Sequence, residues 1–210
     1  MFYGLQKTTL VDFPGRIAAT LFTGGCNFRC PWCHNKDLVY PERLGLLSPL
    51  PEDDIKAFLL QRKDQLDGIC VTGGEPTLWG DRLIEFLLWA KSLGYETKID
   101  TNGSHPEWIE RALKEKAVDF FAMDIKQTWE SYREAIGLPS CDISLLKKSI
   151  KLIQASGKPH QFRTTLIPGI SPKSMEKLTQ ELGISLVFQE YRDPTIYEKA
   201  INREENALRA

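Results

Sequence analysis

The constraint that bears hardest on this chain is an alternation. Six short β-like runs recur along it, with helical patterns between most of them. They are RIAATLFT (16–23), DGICVT (67–72), YETKID (95–100), VDFFAMDI (118–125), QFRTTLI (161–167) and ISLVFQEY (184–191). Strand alternating with helix implies parallel βαβ units, because parallel neighbours need a long crossover and a helix supplies it. A closed eight-unit barrel takes ~250 residues, roughly 31 per unit. At that rate 210 residues hold six units plus ends. The expected fold is α/β, an open partial TIM-type (β/α)6 barrel. A doubly wound open sheet is the rival, weakened in its dinucleotide-binding form because no strand leads into G-x-G-x-x-G.

The intervening helices carry their own signals. Pro51 to Leu66 puts Ile55, Phe58, Leu59 and Leu66 near one face, with Asp53 and Asp54 at the positive end of the dipole. A second helix, about 81–93, stops at Gly94. Pro106 opens a third, Asp142 can cap a fourth, and Ser171-Pro172 opens a fifth that ends at Gly183. Residues 1–192 are expected to form one domain with a short N-terminal lead-in, and 193–210 a polar C-terminal helix or tail.

A net charge of −1 leaves no global field to draw nucleic acid or a membrane surface. No apolar run approaches the ~18 residues of a span. The opening MFYGLQKTTLVDFPG lacks the basic head and unbroken apolar stretch of a signal peptide. Five cysteines, an odd number, fit a reducing cytoplasm better than a disulfide framework, and clustered cysteines there bind metal or do redox chemistry.

Five polar clusters each follow the C-terminal end of an expected strand, the edge where parallel sheets build their sites. They are GGCNFRCPWCHN (24–35), GGEP (73–76), DTNG (100–103), DIK (124–126) and IPG (167–169). The first holds Cys26, Cys30 and Cys33 as C-x3-C-x2-C. A zinc site usually takes four ligands in two separated pairs. Here one tight triplet stands alone, so three thiolates can hold three irons of a cubane cluster and leave the fourth open to a substrate. A structural zinc site, with His34 as a fourth ligand, is the rival. Cys70, in an apolar strand, and Cys141, in a loop, read as incidental thiols.

In GGEP, Gly73 and Gly74 let a ligand approach the backbone, and Glu75 offers an acceptor for an ammonium group. Alone, this turn, DTNG and the Asp124–Lys126 pair could each be ordinary. In QFRTTLI, the alternation points Arg163 inward, where it either meets an anionic ligand or pairs internally with Asp100 or Asp124. His105 and His160 have no visible partner and read as surface residues.

With these residues in place, the chain resembles the radical S-adenosylmethionine (SAM) enzymes. The resemblance rests on the cysteine triplet, Trp32 before its third member, and GGEP in the second unit. WCHN (32–35), DTNG, MDIK (123–126) and RTTLIPG (163–169) are similar to glycyl-radical-enzyme activating proteins. TTLVDFPG (8–15) brings it nearest to activators of anaerobic ribonucleoside-triphosphate reductase. The similarity runs over about residues 4–191. It implies a [4Fe–4S] cluster on Cys26, Cys30 and Cys33, with SAM chelating the open iron. Gly73, Gly74 and Glu75 would meet the methionyl amino group, and Trp32 the adenine. Asp100, Asn102, Lys126 and Arg163 would surround the ribose and carboxylate.

The resemblance further implies a monovalent cation beside Asp100 and Asp124, and an external flavodoxin- or ferredoxin-like electron donor. The macromolecular substrate would be a glycyl radical enzyme, anaerobic ribonucleotide reductase. Formate-lyase-type activators carry a last-strand histidine near SAM where this chain reads FQEY (188–191), so that either Gln189 serves in its place or the contact is absent. The competing functions are a radical SAM enzyme acting on a small molecule or peptide, and a structural metal-binding or electron-transfer protein.

Overall fold

The computed structural model describes residues 1–191, so the C-terminal helix or tail expected over 193–210 lies outside the described residues. One seven-stranded sheet runs in chain order: β1 (Phe2–Thr9), β2 (Ala18–Thr23), β3 (Gly68–Gly73), β4 (Glu96–Thr101), β5 (Phe120–Asp124), β6 (His160–Leu166) and β7 (Leu186–Glu190). From β2 to β7 every pairing is parallel, and β1 and β7 remain the two edges. The barrel is therefore open.

The six parallel strands are those expected from the sequence, to within about two residues at each end. The departure is β1, which pairs antiparallel with β2 where only a lead-in was expected. FYGLQKTT shows no sustained alternation and ends in polar residues, so its strand state comes from its neighbour rather than from a pattern of its own.

Crossovers follow the reading closely. Between β2 and β3 lie α1 (Lys36–Val39), α2 (Pro41–Leu44) and α3 (Glu52–Arg62), the first two unforeseen because each is a single turn. Then come α4 (Gly80–Ser92), α5 (Pro106–Lys114), the short α6 (Tyr132–Ile136), α7 (Ile143–Ala155) and α8 (Pro172–Leu182). Asp142 caps α7, its Oδ1 accepting from the Ser144 N–H at 2.9 Å. Ser171 and Ser174 cap α8 reciprocally, and Gly183 ends it in the left-handed region. No helix among the described residues is long and apolar enough to cross a membrane.

The central strands are covered by these helices. Ala19, Leu21, Ile69, Val71, Ile99 and Phe121 are sealed from water, packed with Leu83 and Leu87 of α4, Ile109 of α5 and Ile150 of α7. At the N-terminal end of the strands, Phe13 from the β1–β2 loop closes the barrel floor. It is 2% exposed, edge-on to Phe120 at 5.8 Å, and so close to Gly68 that a Cβ there would lie 2.9 Å from its ring. Phe13→Ala should cost about 3–5 kcal/mol in denaturant unfolding at unchanged m-value. A loss below ~1 kcal/mol would show that the floor collapses around the gap.

Candidate functional site

The parallel strands bring the loops after β2, β3, β4 and β5 to one rim. The first, residues 24–35, is held from several sides. The Gly25 N–H donates to Leu38 O at 2.7 Å and the Arg29 N–H to Ile136 O at 2.8 Å. Trp32 Nε1 donates to Ala135 O at 3.1 Å, and the Cys33 N–H closes a turn onto Cys30 O at 3.1 Å. Gly137, at φ 65°, packs so tightly on Arg29 O that a Cβ would lie 2.2 Å away. Thus α6, which the sequence did not disclose, braces the cysteine loop.

The glycine turn presses against this loop. Gly74 N–H donates to Thr23 O at 2.9 Å and Glu75 N–H to Gly25 O at 2.7 Å. A Cβ on Gly74 would sit 1.9 Å from Gly25 O. Gly73 adopts φ 115°, a conformation that glycine alone tolerates readily. The close approach that Gly74 permits is therefore between two loops of the protein as well as toward a ligand.

Glu75 is 1% exposed and spans the turn. Its Oε1 accepts from Thr77 N (3.2 Å), Thr77 Oγ1 (2.6 Å) and Thr101 Oγ1 (2.8 Å), and its Oε2 from Asn102 N (2.7 Å). Burial pushes its carboxyl upward against these donors. His105, expected at the surface, is half-buried with Nδ1 2.8 Å from Thr77 Oγ1, which corrects that reading. Asn27 also escaped notice. It donates to Ser104 Oγ and accepts from Asn102 Nδ2, each at 2.8 Å, clasping the cysteine loop to the β4 loop. Its place between two cysteines was the available signal.

On the barrel wall, Lys98, Asp100, Arg163, Asp124 and Lys126 form one row. Arg163 Nη1 donates to Asp100 Oδ2 at 3.2 Å and its Nε to Asp124 Oδ1 at 2.8 Å. Lys126 Nζ donates to Asp124 Oδ2 at 2.8 Å and lies 5.3 Å above the Trp32 ring. Lys98 Nζ donates to the other oxygen of Asp100. Of the two roles open to Arg163, the structure displays the internal ion pair. Burial works against ionisation of Asp124, but the Arg163 and Lys126 charges outweigh it and hold the carboxyl well below its ordinary range. Burial likewise opposes the charge on Lys126, and the Asp124 carboxylate outweighs it.

Ten of the eleven residues expected at the site line one cavity of about 220 Å³, together with Gln189 and Thr165; the eleventh, Arg163, does not line it and instead pairs with Asp100 and Asp124, which do. Cys26, Cys30 and Cys33 all face this cavity as free thiols. Burial, reinforced by Glu75, pushes Cys26 up to about 12, and burial raises Cys30 against the pull of Lys126. Such thiols hold their protons until a metal takes the proton's place. No three His, Cys, Asp or Glu side chains among the described residues gather as a single ion would need. Three thiols lining one cavity can supply the three protein ligands of a four-iron cluster with one open iron.

An open parallel barrel with a thiol triplet and a glycine turn on its rim defines a cofactor-dependent enzyme scaffold. The family model described as "Radical SAM superfamily" matches residues 20–182. A Methanocaldococcus jannaschii protein named as a glycyl-radical enzyme activating enzyme is 35% identical over 170 residues, 80% of this chain and 68% of that one. The pyruvate formate-lyase-activating enzyme of Listeria monocytogenes is 36% identical over 134 residues, 60% of this chain. The chain spans about half of that enzyme's length, 52%. Among solved structures, anSMEcpe with bound AdoMet superposes with a TM-score of 0.65 at 19% identity, covering 82% of this chain and 51% of the other. TYW1 with a lysine–pyruvate adduct gives 0.61 at 16%, covering 83% and 65%. The chain belongs to the radical SAM superfamily and, within it, to the glycyl-radical enzyme activating enzymes.

Two outcomes test this geometry. Gly74→Ala should displace the cysteine loop, lowering stability by about 1–3 kcal/mol and cutting iron uptake several-fold; wild-type uptake and stability would mean that Gly25 can move aside. Because the folded Asp124 carboxyl titrates below its unfolded value of ~3.9, its stabilisation is complete above about pH 4 and drains away as pH falls through the folded value. Asp124→Asn should therefore weaken the protein at pH 6 and flatten the acid limb of its stability profile, read by urea unfolding at several pH values.

Proposed function

We propose that this chain is an activase that reductively cleaves SAM and installs a glycyl radical on a partner enzyme, anaerobic ribonucleotide reductase. The observation that carries this reading is the opening of the three thiols and the glycine turn into the same cavity. Cys26, Cys30 and Cys33 would hold a [4Fe–4S] cluster. When bound, the cluster supplies the electron that cleaves SAM to methionine and a 5′-deoxyadenosyl radical, which takes a hydrogen from a glycine Cα.

The chain's own residues hold and orient. Gly73, Gly74 and Glu75 present the turn to the methionyl amino group. Glu75 Oε2 carries one bond from Asn102 N, and Oε1 three. Lys126 Nζ, kept charged by Asp124, is placed to meet a carboxylate. Trp32 offers a ring to the adenine, and Asp100 and Asn102 offer polar edges to the ribose. Arg163 acts through Asp100 and Asp124, keeping both carboxylates in place. Gln189 lines the cavity where formate-lyase-type activators have a histidine. The expected monovalent cation has no part in this reading, since every oxygen of the two aspartates already meets a cation of the chain.

A cavity at a barrel rim can take a loop of a macromolecular partner, whose surface then excludes water from the radical. The MDIK segment supports a glycyl radical enzyme as that partner, and TTLVDFPG supports the reductase. The electron would come from a flavodoxin- or ferredoxin-like donor. Residues 1–192 are proposed as the working domain, and a reducing cytoplasm suits the five unpaired thiols.

The test is anaerobic. Iron–sulfide reconstitution, reduction and SAM should yield 5′-deoxyadenosine, and adding the reductase should yield its glycyl radical by electron paramagnetic resonance. Cys30→Ala should lose cluster and cleavage while keeping its circular dichroism. Cleavage without a radical on the reductase would overturn the partner assignment, and full activity of Cys30→Ala would overturn the cluster assignment.

A further inference from the structure

The resemblance to activating enzymes implied a monovalent cation beside Asp100 and Asp124. The residues there do not fit one. A Na⁺ or K⁺ ion needs oxygens with unspent negative charge. The four oxygens of these carboxylates are divided among three cations of the chain. Asp100 Oδ1 accepts from Lys98 Nζ, and Asp100 Oδ2 from Arg163 Nη1 at 3.2 Å. Asp124 Oδ1 accepts from Arg163 Nε at 2.8 Å, and Asp124 Oδ2 from Lys126 Nζ at 2.8 Å. The row alternates in sign from end to end, with three positive groups and two negative. An added cation would enter a site that already carries surplus positive charge.

Lys98 makes the arrangement distinctive. It is 1% exposed, lies in the middle of β4, and also approaches Cys70 Sγ at 3.4 Å. Lysine is almost never buried unless paired, and the pairing here consumes the last free oxygen of Asp100. Arg163 comes from β6, opposite Asp124 in the parallel register, so its planar fork lies between the two aspartates. We propose that the Arg163 guanidinium, aided by Lys98, stands permanently in the place of a monovalent cation, and that this cavity works independently of Na⁺ and K⁺. That the cavity is a SAM site rests on the reading above; the charge row does not.

The experiment therefore reads cation binding first and SAM second. Thermal unfolding of the wild-type protein is followed in KCl, NaCl and choline chloride at one ionic strength, with cluster-loaded protein in parallel. Midpoints within 1 °C of one another are expected, and a saturable rise specific to K⁺ or Na⁺ would overturn the proposal. Arg163→Gln and Lys98→Met each free carboxylate oxygens, and either variant that folds should acquire a K⁺- or Na⁺-specific rise of several degrees. A folded variant with no such gain would overturn the assignment of that residue as the substitute. SAM affinity of the loaded wild-type protein should agree within twofold across the three salts, and a fivefold dependence on one ion would again overturn the proposal. Absence of SAM binding in every salt would strike the functional reading instead, while the unfolding midpoints still decide the cation question.

Discussion

The site depends on a carboxylate that has no water to face. Glu75 is sealed in the protein, and an ionised carboxylate there is tolerable only if donors surround it. The donors come from two places in the chain. Thr77 lies two residues further on, and Thr101 with the Asn102 N–H lies at the C-terminal end of β4. The backbone N–H of Glu75 meanwhile reaches the Gly25 carbonyl, the residue before the first cysteine. A single buried residue, through its side chain and its backbone N–H together, thus ties the loops after β2, β3 and β4 into one body. Bonds to a charged group are worth roughly 1.5–3 kcal/mol each, and here they offset the cost of burying the carboxyl. The cysteine loop, which has no regular structure, takes one of its anchors from this tie and the others from α6 and Asn27.

The second ordering device is the charge row, which works along the wall where Glu75 works across the rim. Lys98 and Asp100 stand two apart on β4 and so share a face, as Asp124 and Lys126 do at the end of β5. Arg163 bridges the pair of strands from β6. Register explains why the row is continuous: Asp124 lies opposite Arg163, and Asp100 opposite Ala122, leaving space for the guanidinium to reach across. One residue of slip in any strand would turn these charges into the apolar layer under the helices. The row and the hydrophobic layer therefore specify the same register.

Much of this was legible beforehand because the chemistry of a rim site is written in short contiguous strings. The cysteine triplet, the glycine turn and the DTNG and DIK segments each follow a strand, and parallel topology alone brings them together. What escaped was written across distance. β1 is a strand only because β2 lends it hydrogen bonds, and α6 is too short to carry a period. His105 finds Thr77, and Asn27 finds Asn102 and Ser104, through contacts that no local pattern encodes. Lys98 was passed over in YETKID because a lysine in a strand ordinarily reads as solvent-facing. Its partner two residues on was the available clue.

Arg163 shows how an inward-facing charge can be right in direction and open in role. The alternation of QFRTTLI sends it to the interior, as found. Whether it then meets a ligand or the protein depends on how many anions the neighbouring strands supply, and β4 and β5 supply two. With both aspartates engaged, the group left facing the cavity is Lys126, whose ammonium has one carboxylate oxygen and the Trp32 ring as its neighbours. An ammonium has three protons to give, and a single carboxylate takes one of them. The row thus delivers its unspent hydrogen-bonding capacity at the cavity end, beside the thiols, which is where an anionic group of a bound ligand is best accommodated.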